Sequence, residues 1–256
     1  MTMILAITNQ KGGVGKTTTA VNLAASLAAM QRKVLLLDLD PQGNATMGSG
    51  VDKYSLQRSL YDVLTRRCDA QEATVYSEAA GFHLIPANGD LTAAEVELIS
   101  VIGRELRLSR ALAQVQDQYD IILIDCPPSL NMLTVNALVA SSGVIIPVQC
   151  EYYALEGLSA LLETIESIRD AYNPDLGIEG IVRTMYDARN GLTVEVSNQL
   201  LEHFGDQVYE TVIPRNVRLA EAPSHGLPVL YYDKASRGAL NYLALAGEVN
   251  RRLANQ

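Results

Sequence analysis

The chain has 256 residues, 48% of them hydrophobic, and a formal net charge of -9; this suits one large domain with a substantial core and excludes a generally basic surface. No apolar run reaches the length of a membrane span, so a cytosolic protein is expected. Cys68, Cys126 and Cys150, like His83, His203 and His225, show no metal or redox spacing and read as packing or surface residues.

Met3 to Thr8 is a short apolar run of buried-strand type, and Ala20 to Ala28 reads as a helix. Between them stands Asn9-Gln10-Lys11-Gly12-Gly13-Val14-Gly15-Lys16-Thr17-Thr18-Thr19, and strand, glycine loop, helix is the context of a phosphate-binding loop. Gly12, Gly13 and Gly15 let backbone N–H groups approach an anion, and the helix start adds unpaired N–H groups and a positive dipole end. Lys16 supplies a mobile cation for the outer phosphates, Thr17 a hydroxyl for Mg2+, and Thr18 a hydroxyl for an inner phosphate. Gln10 stands where the strict Walker A pattern has its first glycine, and Lys11 precedes the glycines instead.

Lys33 to Asp38 is the next buried strand, followed by Leu39-Asp40-Pro41-Gln42-Gly43-Asn44. Apolar strands separated by amphipathic helices predict βαβ crossovers and a doubly wound, mostly parallel α/β sheet flanked by helices. Ligands gather at the carboxyl ends of such strands, so Asp38 and Asp40 are expected on the edge that carries the glycine loop, orienting a water or holding Mg2+ through its waters. Helical spacing over Tyr54 to Leu64, a short strand at Phe82 to Pro86 and a mostly helical stretch from Thr92 to Val115 carry no visible chemistry.

Tyr119 to Asp125 is an apolar strand ending in a carboxylate, of Walker B form, with Asp125 reaching the magnesium shell and Cys126-Pro127-Pro128-Ser129 stiffening the loop beyond. A strand follows at Gly143 to Val148, then a helix opening at Glu151 and running to about Tyr172. Further on come a strand at Leu176 to Val182, a helix at Thr193 to Phe204, a strand at Val208 to Pro214 and a helix from about Arg237 to Leu253. No repeat or linker interrupts residues 1–256, which read as a single P-loop ATPase domain.

Lys11-Gly12-Gly13-Val14-Gly15-Lys16-Thr17 is similar to the deviant Walker A signature of the ParA/MinD group. Together with Asp38 to Asn44, Asp125 to Ser129, Pro147 to Gly157 and Ile213 to Gly226, the chain resembles the ParA/Soj chromosome-partitioning ATPases along nearly its whole length. The resemblance implies a slow Mg2+-dependent ATPase of chromosome or plasmid partitioning. Lys11 would cross a homodimer interface to the phosphates on the other subunit, Gly12 would permit that close approach, and Asp40 would position the attacking water. The resemblance also puts Pro214 and Asn216 near the adenine.

The same family implies an ATP-bound dimer on non-specific DNA, nucleoid association, and release when a ParB-type centromere-binding protein stimulates hydrolysis. Arg189 and Arg218 match its DNA-contacting arginines, and Arg215 and Arg237 are further candidates; Arg183 and Lys234 read as solvated or salt-bridged. The acidic composition requires such a site to be a local patch. Two alternatives stay open: a MinD-like membrane-associated ATPase, which calls for a basic amphipathic tail, and a non-catalytic nucleotide-sensing regulator.

Overall fold

In the computed structural model, which describes residues 2–254, eight strands form one sheet: β1 (Met3–Ile7), β2 (Val34–Asp38), β3 (Val75–Ser77), β4 (Phe82–Ile85), β5 (Ile121–Asp125), β6 (Gly143–Gln149), β7 (Gly177–Tyr186) and β8 (Val208–Pro214). Their order is β3-β4-β2-β5-β1-β6-β7-β8, and every neighbouring pair is parallel except β3 with β4. The doubly wound, mostly parallel α/β architecture expected from the sequence is the one found.

Near-continuous aliphatic runs produce this because a parallel sheet is buried on both faces, and alternate residues along a strand serve opposite layers. Ile4, Ala6, Leu35, Leu37, Ile122 and Ile124 face one core with the helices Met132–Ala140 and Ala154–Ala171. Leu5, Ile7, Leu36 and Leu123 face the other, under the helices Lys16–Ala29 and Arg237–Ala254.

Three sequence expectations are corrected. Tyr54 to Leu64 is helical only over Leu60–Leu64, because Asp62 reaches back to the Ser59 backbone N–H at 2.9 Å and fixes the start there. The stretch from Thr92 to Val115 is broken after Leu91–Leu98: the Arg104 guanidinium takes the Ile99 carbonyl, and helix resumes at Arg107–Leu112. The helix expected at Glu151 begins at Ala154. The site's position follows from the register: Ile7 and Asp38 both sit opposite Asp125, so three loops leave one edge side by side.

Candidate nucleotide site

The loop after β1 is shaped by Gly13 at φ +74° and Gly15 at φ +88°, left-handed values that a side chain resists. Its outer turn is tied down locally: Asn9 accepts from the Lys11 N–H at 2.9 Å and donates its amide to the Pro147 carbonyl at 2.8 Å. Thr184 of β7 donates its hydroxyl to the Val14 carbonyl at 2.8 Å, so the loop is held from two strands besides its own.

The two lysines of the loop have different surroundings. Lys16 is buried, its amine donates to the Lys11 carbonyl at 3.0 Å across the loop, and burial lowers its pKa while Asp125 and Asp40 oppose that shift. Lys11 turns outward to a half-exposed ion pair with Glu151, 2.8 Å between Nζ and Oε2. Beyond its chain neighbours, a Cβ on Gly12 would meet nothing within 4 Å among the described residues, so they place no steric demand on that position.

Asp38 and Asp125 are fully buried side by side. Asp38 is anchored: its Oδ2 accepts from the Thr46 N–H and hydroxyl, both at 2.7 Å, and burial still pushes its pKa up to about 6. Asp125 is raised well above the ordinary carboxylate range, first by burial and then by the Asp38 charge, with the Thr17 hydroxyl and Lys16 acting in the other direction. Neither of its oxygens has a hydrogen-bond partner of ordinary geometry among the described residues. Asp40 sits on the rim, half-buried, its Oδ1 accepting from the Gln42 N–H at 2.9 Å.

Unpaired carboxylate oxygens beside a threonine hydroxyl form a hard-oxygen donor set that suits Mg2+, which takes one or two protein ligands and completes its shell with water and phosphate. No three Asp, Glu, His or Cys side chains converge as a metal cage among the described residues, in keeping with that division of ligands.

Beside the loop lies a cleft of about 450 Å³ lined by Gly13, Gly15, Thr18, Thr184, Pro214 and Asn216 among others. Pro214 and Asn216, which the resemblance puts near the adenine, are among the residues lining this cleft. Among the described residues the Asn216 side-chain oxygen is buried without a partner, leaving an acceptor available to a donor in the cleft. Met185, at φ +48°, also lines the cleft, and Tyr242 meets the Thr19 hydroxyl at 3.1 Å behind it. Sequence reasoning missed Thr184, Met185 and Tyr242, which lie in no glycine or aspartate motif.

The arginines divide as well. Arg183 is buried and donates to the Ser197 hydroxyl and to the Tyr209 and Glu210 carbonyls, a structural role. Arg189 is 91% exposed but gripped bidentately by Asp187, and Arg218 pairs with Glu221 and Asp233.

Fold and loop together define a P-loop nucleotide-binding protein carrying a second lysine. The family pattern described as "AAA domain" matches residues 2–178. The chain is 55% identical to the sporulation initiation inhibitor protein Soj of Bacillus subtilis, over 97% of this chain and 98% of that one. It is 51% identical to the chromosome partitioning protein ParA of Caulobacter vibrioides, over 97% and 94%. Among solved structures, cobyrinic acid a,c-diamide synthase from Mycobacterium smegmatis with bound ADP and magnesium superposes at TM-score 0.87 with 38% identity, covering 99% of this chain and 96% of that one. The cell division ATPase MinD of Pyrococcus furiosus does so at 0.81 with 25% identity, covering 98% and 99%. The chain belongs to the ParA/Soj family of chromosome-partitioning ATPases.

Proposed function

We propose that this ATPase binds ATP with Mg2+, closes into a homodimer across the loop edge, holds non-specific DNA in that state, and releases it when a ParB-type partner stimulates hydrolysis. The observation that carries this reading is the division of labour between the lysines. Lys16 already occupies the loop interior, so the Lys11 side chain is a second cation on the lip, free to exchange Glu151 for an anion brought by another subunit.

The chain's residues then take the following roles. The N–H groups of Gly12 to Thr18 and the Lys16 amine hold the phosphates, and Lys11 offsets charge repulsion between two nucleotide faces. Thr17 and Asp125 would hold Mg2+, with Asp38 anchoring the adjacent loop through Thr46 and adding negative charge beside them. Mg2+, when bound, supplies charge neutralisation at the phosphates. Asp40 orients the attacking water at the rim, while Pro214 and Asn216 line the base pocket. Unstimulated turnover is expected to be slow, because these groups position reactants while no further cation is evident among the described residues to face the transition-state charge. Arg189 and Arg218 are the DNA contacts the reading names, and localisation to the nucleoid follows from them.

The test is a salt titration of binding to random-sequence DNA with no nucleotide, with ADP, and with ATP on the Asp40→Ala variant. Binding only with ATP, weakening steeply as salt rises, is the expected result. A protein that dimerises with ATP yet binds no DNA in any state overturns the DNA role.

A further inference from the structure

The amino ends of β2, β4 and β5 border a second cavity, of about 530 Å³, a volume that suits a metabolite. Lys33 and Val34 line it from the start of β2, Phe82 and His83 from the start of β4, and Tyr119 from the segment before β5. Asp38 closes the opposite end of β2, about 13 Å on at the usual rise per residue. The cavity and the nucleotide cleft share no lining residue.

One part of the lining is aromatic. The His83 ring lies between those of Tyr76 and Tyr119, with centroids 5.1 and 5.5 Å away, and meets both edge-on. Such a row of rings offers π surface to a flat ligand. Tyr119 is only 6% exposed, yet its hydroxyl has no hydrogen-bond partner among the described residues. A phenol withdrawn to that extent ordinarily finds one.

The rest is polar and cationic. Arg32 is fixed by Asn250, Nε to Oδ1 at 2.8 Å, which leaves its terminal nitrogens without a partner among the described residues. The Lys33 amine forms no ion pair among them either. No carboxylate lines the cavity; Asp120, next in space, is occupied by the Lys33 backbone N–H at 2.8 Å. Gln118 donates to the Gln71 side-chain oxygen at 2.8 Å, so a free acceptor on Gln118 and a free donor on Gln71 stand side by side.

We propose that this cavity binds a small anionic metabolite carrying a planar aromatic ring, the ring against Tyr76, His83 and Tyr119 and the anion at Arg32 and Lys33. Two unpaired cations in a carboxylate-free lining favour an anion even on a chain of net charge -9. A bare oxyanion would leave the aromatic wall uncovered, and an uncharged ring would leave both cations unanswered. The amide pair can meet the polar edge of a nucleobase or the hydroxyl of a phenol. The same chemistry therefore has two sources, a mononucleotide and an aromatic carboxylate.

The test is calorimetric titration of the full chain, saturated with Mg2+ and a non-hydrolysable ATP analogue so that the nucleotide cleft is filled. Cytidine 5′-monophosphate and 4-hydroxybenzoate probe the two sources. Ribose 5-phosphate serves as the ringless control, and cytidine and phenol as the uncharged ones. One saturable site per chain is expected for at least one probe, at least tenfold tighter than for its controls, and the tighter probe identifies the source. Arg32→Gln and Lys33→Gln should each weaken it several-fold, and Tyr76→Leu, which keeps an apolar residue in β3, about tenfold. Lys33 is exposed, so Lys33→Gln keeps the test open should Tyr76→Leu fail to fold. The proposal is overturned if neither probe saturates, if ribose 5-phosphate binds as tightly as the mononucleotide, or if the folded variants all keep full affinity. Binding that appears only without the ATP analogue would belong to the nucleotide cleft and overturn it equally.

Discussion

Gly180 shows how tightly single positions are specified in this sheet. A Cβ there would stand 2.6 and 2.9 Å from two atoms of the Tyr209 ring, which is fully buried. Arg252 covers that ring with its guanidinium 4.2 Å from the centroid, so the ring has no free space to retreat into. Gly180→Ala is therefore expected to destabilise the fold by about 1–3 kcal/mol, the usual range for overpacking. Urea unfolding should show a lower midpoint at unchanged slope, and an unchanged midpoint would mean that the β7–β8 pair yields easily. At this scale the phosphate loop and its aspartates were legible because their chemistry is local: glycines beside a lysine, a carboxylate after four aliphatics. Thr184 and Glu151 were not, since they act on Val14 and Lys11 across 170 and 140 residues of sequence. No local pattern encodes such a meeting. The Thr46 anchor of Asp38 lies only eight residues away, yet a threonine in a polar turn gives no sign of which oxygen it will meet.

Most elements were legible for a related reason. Strands buried on both faces are written as aliphatic runs, and β8 and the P-loop helix follow directly from theirs. The edge hairpin was harder: β3 has three residues, too few for alternation to show, and only its antiparallel pairing with β4 makes it a strand. The hairpin also carries a titratable device. His83 of β4 lies edge-on between Tyr76 of β3, at 5.1 Å, and Tyr119, at 5.5 Å. Partial burial lowers its pKa below the ordinary 6.5, so the folded state prefers the neutral ring. The unfolded chain then takes up the proton first, and stability from this group is complete above the unfolded value and lost as pH falls through the folded one. Urea midpoints at pH 7.5 and 5.5 should differ more for the natural chain than for His83→Gln. Equal differences would show that the hairpin does not sense this proton.

For the molecule as a whole, the proposed function raises the question of how a chain of net charge -9 would hold a polyanion. Dimerisation alone would make the repulsion worse, so the proposed binding would depend on a few cations presented together, and here both Arg189 and Arg218 are restrained. Asp187 grips Arg189 with two hydrogen bonds of 2.9 Å, and that guanidinium holds the Asp187 pKa down at about 2. The carboxylate is thus charged throughout any working pH, and phosphate has to compete with it. An ion pair this exposed adds little to folding, which makes it removable without disturbing the sheet. If Arg189 contacts the DNA backbone, Asp187→Ala should tighten ATP-dependent binding several-fold at low salt. It should also steepen the salt dependence, each added phosphate contact contributing about one unit of slope. Arg189→Ala should weaken binding, and the double variant should behave like Arg189→Ala, because the aspartate acts only through its arginine. Filter binding at several salt concentrations separates the cases. A gain that survives in the double variant would trace the effect to bulk charge, and no gain in Asp187→Ala would remove Arg189 from the DNA face and leave the burden on Arg218.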